Sequence, residues 1–365
     1  MKFRCERDAL VEALSTAGRA VATRGALPVL SGLRLEVRGD QLSLAGTDID
    51  LTIQSEVQVS GIADGVSVIP ARLLTDIVRS LEQGAVTLEV GEDDAKISAG
   101  RSQFSVHTLA ADDFPRLPAA GSEGVTLNAA QFFEALRQVV RAASTDDALP
   151  VISGVLMAAT EEGGLRLVAT DRYRLAKRDL PGTSVLRSGQ KVLVPGRALN
   201  ELQRVLSNSE DVTLVLGERD ATFISGSVRL TTRLLEGEFV PYEQLIPSNY
   251  PNRLFIGKEP FLDAVRRVKL LARDTITPVR VTLRPDSDTI ECVVRSTEGE
   301  ATDFVDAKYE GSEVTIGFNP SYLIDGLEAA HGDEVLLETL DPMKPATVRA
   351  SEDEDYLYLL MPVRL

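Results

Sequence analysis

"ALPVISGV" (Ala148–Val155) nearly repeats "ALPVLSGL" (Ala26–Leu33), and Pro150 stands 122 residues after Pro28. A mostly apolar phrase that returns at that distance points to copies of one domain, so the first question is how many copies there are. "VIPARLLTDIVRSL" (Val68–Leu81) matches "LVPGRALNELQRVL" (Leu193–Leu206), and "FNPSYLIDGLEAA" (Phe318–Ala330) keeps the proline and the apolar spacing. Pro70, Pro195 and Pro320 are separated by two steps of 125.

Other blocks follow in the same order. "GTDIDL" (Gly46–Leu51) pairs with "ATDRYRL" (Ala169–Leu175), and "TPVRVTL" (Thr277–Leu283) is a weaker third form of the opening phrase. "CERDALVEAL" (Cys5–Leu14), "NAAQFFEALRQVV" (Asn128–Val140) and "GKEPFLDAVRRVKLL" (Gly257–Leu271) each open a repeat with a helical pattern. Repeats this long are tandem domains rather than solenoid units. Proline and glycine gather in "FPRLPAAGSEG" (Phe114–Gly124) and "IPSNYPN" (Ile246–Asn252), which sets domains at 1–120, 121–247 and 248–365. Each repeat reads helix, strands, helix, strands. "RLEVRGDQLSLAG" alternates with period two about a Gly-Asp turn, as an antiparallel hairpin does. Over 71–81, Leu73, Leu74, Ile77, Val78 and Leu81 are expected on one apolar face, opposite Arg72, Asp76 and Arg79. The expected fold class is α+β: three tandem domains of antiparallel sheet and two helices each.

Composition narrows the function. The chain has 365 residues, 44% hydrophobic and 26% charged, which suits a soluble globular protein. It shows no apolar run long enough for a membrane span and no secretory leader. Two cysteines, Cys5 and Cys292, make no disulfide framework and fit a reducing cytoplasm. With no tryptophan, the surface is a poor base-stacking platform. P-loop, dinucleotide-binding, nucleophile-elbow and C-x-x-C motifs are missing, and His107 and His331 stand alone. The chain therefore reads as a protein that binds and holds, with no catalytic or metal-ligating set. An enzyme with an unfamiliar site stays open, because a missing motif does not exclude one.

Charge is unevenly placed. The net charge is −16, yet the expected helices (4–21, 71–81, 127–143, 196–206, 257–273 and 320–331) hold 14 Lys/Arg against 10 Asp/Glu. Arg72 and Arg79 recur as Arg197 and Arg204 at equivalent helix positions, and Arg266, Arg267, Lys269 and Arg273 crowd one helix of the third repeat. These arginines make either a shared basic surface or ordinary wet helix faces, since Arg is a good helix former. The chain ends "DYLYLLMPVRL", where apolar residues continue past Pro362; such a tail packs into a groove or lines one.

Taken together, the three repeats, "LPVL", "ATDRYRLA", "FNPSYL" and the final "MPVRL" resemble the bacterial DNA polymerase III β sliding clamp family over the whole chain. The resemblance implies a head-to-tail homodimeric ring with helices around duplex DNA and sheets outside. It implies no catalysis, cofactor or metal. The implied partners are duplex DNA without sequence preference, a second copy of the chain, the replicative polymerase, the clamp loader and other proteins carrying a clamp-binding motif.

Residue by residue, it carries DNA contact onto Arg24 and Arg72, and the charge pattern adds Arg79, Arg137, Arg141, Arg197, Arg204, Arg266 and Arg267 to the lumen. It carries a peptide pocket onto Ile152, Thr170, Arg172, Tyr173, Arg174, Leu175, Pro241, Leu245, Ile276, Asn319, Tyr322, Met343 and Pro345. The pocket continues through Leu359, Leu360, Met361, Pro362, Val363, Arg364 and Leu365. Leu270 and Leu271 match the subunit joint. "DRYR" stands where the commoner pattern has Asp-Gly-His-Arg. A paralogue or a tandem-domain peptide scaffold outside bulk replication is the alternative.

Overall fold

The computed structural model describes residues 1–22, 27–118, 121, 124–146, 148–206, 209–273, 277–351 and 353–365. The first repeat runs β1 (Lys2–Glu6), α1 (Arg7–Ala17), β2 (Gly32–Arg38), β3 (Gln41–Thr47), β4 (Leu51–Gln58), β5 (Ser60–Ala63), β6 (Gly65–Pro70), α2 (Ala71–Ser80), β7 (Ala85–Val90), β8 (Asp94–Ala99) and β9 (Ser102–His107). The second runs β10 (Val125–Asn128), α3 (Ala129–Val139), β11 (Gly154–Ala159), β12 (Leu165–Thr170), β13 (Arg174–Leu180), β14 (Lys191–Pro195), α4 (Gly196–Val205), β15 (Asp211–Leu216), β16 (Asp220–Ser225) and β17 (Val228–Arg233). The third runs β18 (Asn252–Gly257), α5 (Lys258–Lys269), β19 (Val279–Leu283), β20 (Thr289–Ser296), β21 (Gly299–Glu310), β22 (Val314–Phe318), α6 (Pro320–Ala329), β23 (Glu334–Thr339), β24 (Ala346–Ala350) and β25 (Tyr356–Leu360).

A smaller unit thus occurs twice in each repeat, one strand, one helix and three strands, with the short β5 added after β4 in the first repeat. The leading strand corrects the helix-first reading. "KFRCE" has only two inward residues, Phe3 and Cys5, too few for its alternation to stand out from the helix that follows. Each leading strand pairs beside the three strands of the other half of its repeat. The sheet orders are β5-β1-β7-β8-β9, then β10-β15-β16-β17-β4-β3-β2-β6, then β14-β11-β12-β13-β25-β24-β23-β18-β21-β20-β19-β22.

Sheets are continuous across repeat borders. β4 pairs with β17 (Leu51 opposite Thr232, Ser55 opposite Val228), and β13 pairs with β25 (Arg174 opposite Leu360, Arg178 opposite Tyr356). The compact units consequently differ from the repeats: one is 1–130 with 200–234, the other 131–199 with 235–365, and the second repeat is shared between them.

In the first unit α1 and α2 bury Leu10, Leu14, Leu74 and Val78 against Phe3, Leu33, Leu35, Val86 and Leu88. Fully burying one such side chain stabilises by about 1.5–3 kcal/mol. Leu73 departs from its expected place, being 49% exposed. At about 100° per residue it falls beside the stripe set by Leu74, Ile77 and Val78 rather than within it. The Gly39–Asp40 turn joins β2 to β3, with Gly39 at φ 56°.

In the second unit the chain that follows repeat two's last strand packs on the sheet holding β11, β12, β13 and β25. Leu235, Phe239, Val240, Tyr242 and Ile246 pack on Leu156, Val168, Leu175, Leu357 and Leu359. The alternate residues Val155, Met157, Leu167 and Ala169 are fully buried on the opposite face.

Candidate docking groove and helix-face interface

The groove begins at the turn between β12 and β13. Thr170 Oγ1 donates to the Arg174 carbonyl (2.7 Å) and accepts from the Arg172 N–H (3.4 Å). Asp171 Oδ1 accepts from the N–H groups of Tyr173 (3.0 Å) and Arg174 (3.1 Å). These side-chain bonds fold "TDRYR" into a tight turn that holds Arg172 at φ 80°.

The turn lifts Tyr173 clear of the sheet, 59% exposed, to stack on Tyr322 with centroids 6.3 Å apart and 24° between planes. Tyr322 is placed by the start of α6, where Asn319 Oδ1 accepts from the Ser321 N–H (2.9 Å) and the Tyr322 N–H (3.3 Å), an N-cap ahead of Pro320.

Arg174 lies under this pair. Its guanidinium carbon is 4.3 Å from the Tyr322 ring centroid. Its nitrogens donate to Asp171 Oδ2 (2.9 Å), Asp325, the Tyr358 hydroxyl (3.4 Å) and the Arg141 carbonyl (2.6 Å). Burial opposes the charge, but Tyr358, Asp325 and Asp171 outweigh it and hold the guanidinium pKa above its ordinary value. Such a group stays ionised and shapes the wall.

The tail closes one side. The Met361 N–H donates to the Tyr173 carbonyl (2.8 Å) and the Val363 N–H to the Gly317 carbonyl (2.8 Å). Leu365 lies over Gly317, where a Cβ would meet its Cδ2 at 2.6 Å and the Val363 carbonyl oxygen at 2.8 Å, so glycine lets the tail's backbone come this close. Thus Met361–Leu365 packs partly against its own domain while Met361 and Leu365 stay 38% and 53% exposed. Ala346 opposite Leu360 carries Pro345 alongside Met361, and the same hairpin presents exposed Met343.

The structure therefore gathers Thr170, Arg172, Tyr173, Arg174, Asn319, Tyr322, Pro345 and Met361–Leu365 at one end of the sheet. Leu175 and Leu359 form an apolar layer beneath, capped by the turn bearing Pro241 and exposed Leu245. Ile152 and Leu360 are buried and support this end of the sheet without opening onto it. Ile276 lies outside the described residues. Sequence reading missed Asp325 and Tyr358. Their partner Arg174 is more than 150 residues away, and no local motif marks them.

The helix arginines fall into two groups. Arg72 and Arg79 stand exposed on α2 and line a cleft with Arg19, Ser15 and Asp76, a void of about 330 Å³. Arg79 donates to Ser15 Oγ (3.3 Å), and Arg72 lies a loose 3.9 Å from Asp76. Arg197 is exposed at the start of α4, and Arg204 bonds Glu201 (2.9 Å).

Arg137, Arg141, Arg266 and Arg267 are occupied. Arg137 bonds Glu134 and the Glu328 carbonyl (3.1 Å), Arg141 bonds Glu328 (2.7 Å), Arg266 bonds Glu328 (3.0 Å) and Arg267 bonds Asp303 (2.6 Å). For Arg141, Arg266 and Arg267 the acids lie 36 to 187 residues away, a pairing that helix position does not reveal; Arg137 has its acid three residues back and a backbone carbonyl 191 residues on. Arg24 lies outside the described residues.

Leu270, 75% exposed, and half-buried Leu271 follow α5, which Arg267–Asp303 and Arg273–Glu298 (3.2 Å) tie to β21 and the turn before it. Among the described residues, 299–306 of β21 pair only with β20, and β9 pairs only with β8. Each free edge carries an exposed phenylalanine, Phe304 or Phe104.

Both cysteines are buried, and burial pushes the Cys292 thiol up to about 12. Among the described residues no cluster of His, Cys, Asp and Glu could hold a metal, and no helix is long and apolar enough to cross a membrane.

Family models of the DNA polymerase III beta subunit match end to end: the N-terminal domain over residues 1–118, the central domain over 126–241 and the C-terminal domain over 243–364. The chain belongs to the DNA polymerase III beta subunit family. The beta sliding clamp of Streptomyces coelicolor is 36% identical, with all of both chains covered. Among solved structures, the sliding clamp of Bartonella birtlesii bound to griselimycin superposes at TM-score 0.95 with 31% identity, all of both chains covered. The C. crescentus beta sliding clamp superposes at 0.94 with 30% identity, over all of this chain and 99% of that one. The three-repeat β-clamp fold and a non-catalytic role as a processivity clamp follow from that membership.

Proposed function

We propose that two copies of this chain close head to tail around duplex DNA and hold replication proteins on it through the groove at Tyr173, Tyr322 and the C-terminal tail. One observation carries the reading. Within the chain, the last strand of one half-repeat always pairs with the last strand of a half-repeat in the next domain, as β4–β17 and β13–β25 do. By that rule β21 and β9 each lack a partner, and each is the partner the other needs. A second copy supplies both, which closes the assembly and covers these two free edges. Leu270, Leu271, Phe304 and Phe104 then become the apolar part of the joint.

The described residues of each chain hold six α-helices, so two copies bring twelve. At about 9–10 Å between axes they make a circle about 36 Å across, and subtracting about 10–12 Å for a helix leaves about 25 Å. A duplex fits there with a layer of water, so it slides. Arg72, Arg79 and Arg197 meet phosphates, and Arg141, Arg204, Arg266 and Arg267 do so by exchanging a carboxylate for a phosphate. Arg137 serves the packing of α3 on α6. The exposed methionines Met343 and Met361 let one groove accept several peptides, including those of the replicative polymerase and the clamp loader in the cytoplasm.

Cysteine pairs scanned between β9 and β21 test closure. Oxidation should yield a dimer cross-linked at both joints that keeps circular DNA in detergent. Monomers alone, or an open ladder of oligomers, would refute the arrangement.

A further inference from the structure

A line of alternating charge joins the groove to the helix face. Arg174 bonds the Asp325 carboxylate from below the Tyr173–Tyr322 pair. Asp325 also lies 3.7 Å from Arg141 Nη1, whose nearer partner is Glu328 Oε2 at 2.7 Å. The other Glu328 oxygen accepts from Arg266 Nη2 at 3.0 Å. Asp325 and Glu328 are three residues apart on α6 and so present adjacent carboxylates on one face. Exposure falls along the line: the side chains of Arg141 and Arg266 are 48% and 45% exposed, that of Arg174 only 11%. Arg141 is thus shared between two acids at the wet end, and what it does decides how many cations Asp325 has.

We propose that Arg141, Asp325 and Glu328 act as positioning residues that couple DNA at the helix face to peptide affinity in the groove. The proposal rests on the clamp reading above. A phosphate on the helix face competes with Glu328 and Asp325 for Arg141. Once Arg141 turns to the phosphate, Asp325 keeps Arg174 as its close cation, and that pair tightens. Arg174 is then held more firmly beneath Tyr322, the aromatic rim is ordered in advance, and a docking peptide loses less entropy in fixing it. The Arg141 carbonyl that accepts from Arg174 belongs to the backbone and stays in place. By reciprocity, a bound peptide frees Arg141 for DNA, so a clamp carrying its polymerase grips the duplex better than an empty one.

The test is the affinity of a fluorescent peptide rich in Gln, Leu and Phe for the full-length clamp, free and loaded on nicked circular DNA. Wild type should bind about fivefold tighter on DNA, the low end of measured site-to-site couplings. Arg141→Ala should bind the peptide off DNA as tightly as wild type does on DNA and gain nothing further on loading. Asp325→Asn, which cuts the line next to the groove, should also give a ratio of one, whatever its absolute affinity. A ratio of one for wild type, with loading and peptide binding intact, overturns the coupling but leaves the clamp reading standing. A fivefold ratio that survives in both variants overturns this route for it. Failure of wild type to load or to bind peptide overturns the clamp reading, and the coupling with it.

Discussion

Ile49 and Arg172 occupy the same position of the same turn, 123 residues apart, and both hold left-handed backbone, at φ 86° and 80°. In each case a Thr-Asp pair imposes the geometry. Thr47 Oγ1 donates to the Leu51 carbonyl (3.1 Å) as Thr170 does to that of Arg174, and Asp48 accepts from the Leu51 N–H (2.8 Å) as Asp171 does from that of Arg174. A left-handed residue with a side chain costs about 1–2 kcal/mol, most for a β-branched one. Ile49→Gly should therefore raise stability by about 1 kcal/mol, with Arg172→Gly giving less, read as urea midpoints. A loss in the Ile49 variant would mean that the turn is not strained.

Arg174 tests whether the groove wall depends on its buried charge. Arg174→Ala leaves Asp171 and Asp325 without their shared cation, at a cost of about 3 kcal/mol, and frees Tyr322 from its cation–π contact. Chemical denaturation should show the loss, and peptide affinity should fall with it. A neutral substitution would make the network dispensable.

The joint is tested at the end of α5. Replacing Leu270 and Leu271 by Ala should split the assembly, at about 2–5 kcal/mol for each leucine buried there. Sedimentation should report half the wild-type mass with an unchanged circular-dichroism spectrum. An intact dimer would place the joint elsewhere.

Removing Met361–Leu365 takes away two backbone hydrogen bonds and the cover of Gly317. The expected cost is about 1–3 kcal/mol, two bonds at about 0.5–1.5 each, with the ring retained. Peptide capture should disappear, since the tail forms one side of the groove. A truncated ring that binds peptide as well as the full-length chain would reduce the tail to a plug.

Glu328 sets a pH dependence. Burial favours its neutral form, but hydrogen bonds from Arg141 and Arg266 outweigh that and hold its pKa below the usual carboxylate value. Its contribution is complete above the unfolded pKa of about 4.3 and is lost as pH falls through the depressed folded value. Glu328→Gln should be less stable than wild type at neutral pH, with the gap narrowing below about pH 4.3. A gap that stays constant down to acid would mean that the carboxylate contributes nothing through its charge.

Much of this was legible in the sequence because it is local. The Thr-Asp turns, the prolines that start helices and the Gly-Asp hairpin are each specified by neighbours in the chain. Leading strands such as "KFRCE" were not, since two inward residues cannot outweigh a helical pattern that begins beside them. Leu73 shows how narrow the helix stripe is: one residue past it, a leucine is on the surface. The acids of α6 were invisible for a different reason. Asp325 and Glu328 matter through Arg174, Arg141 and Arg266, and only the pairing of β13 with β25 and the packing of α5, α3 and α6 bring these together.

Encirclement is the central claim, and the most direct measurement is retention on DNA whose topology is changed after loading. The protein, loaded onto a nicked plasmid circle with a clamp loader and ATP and freed of excess by gel filtration, should remain through a wash at high salt. A single restriction cut should then release it by sliding off the ends, and blocking both ends with bound protein should restore retention. Release by salt from the intact circle, or retention on the cut, unblocked plasmid, would show that the protein binds DNA directly and does not encircle it.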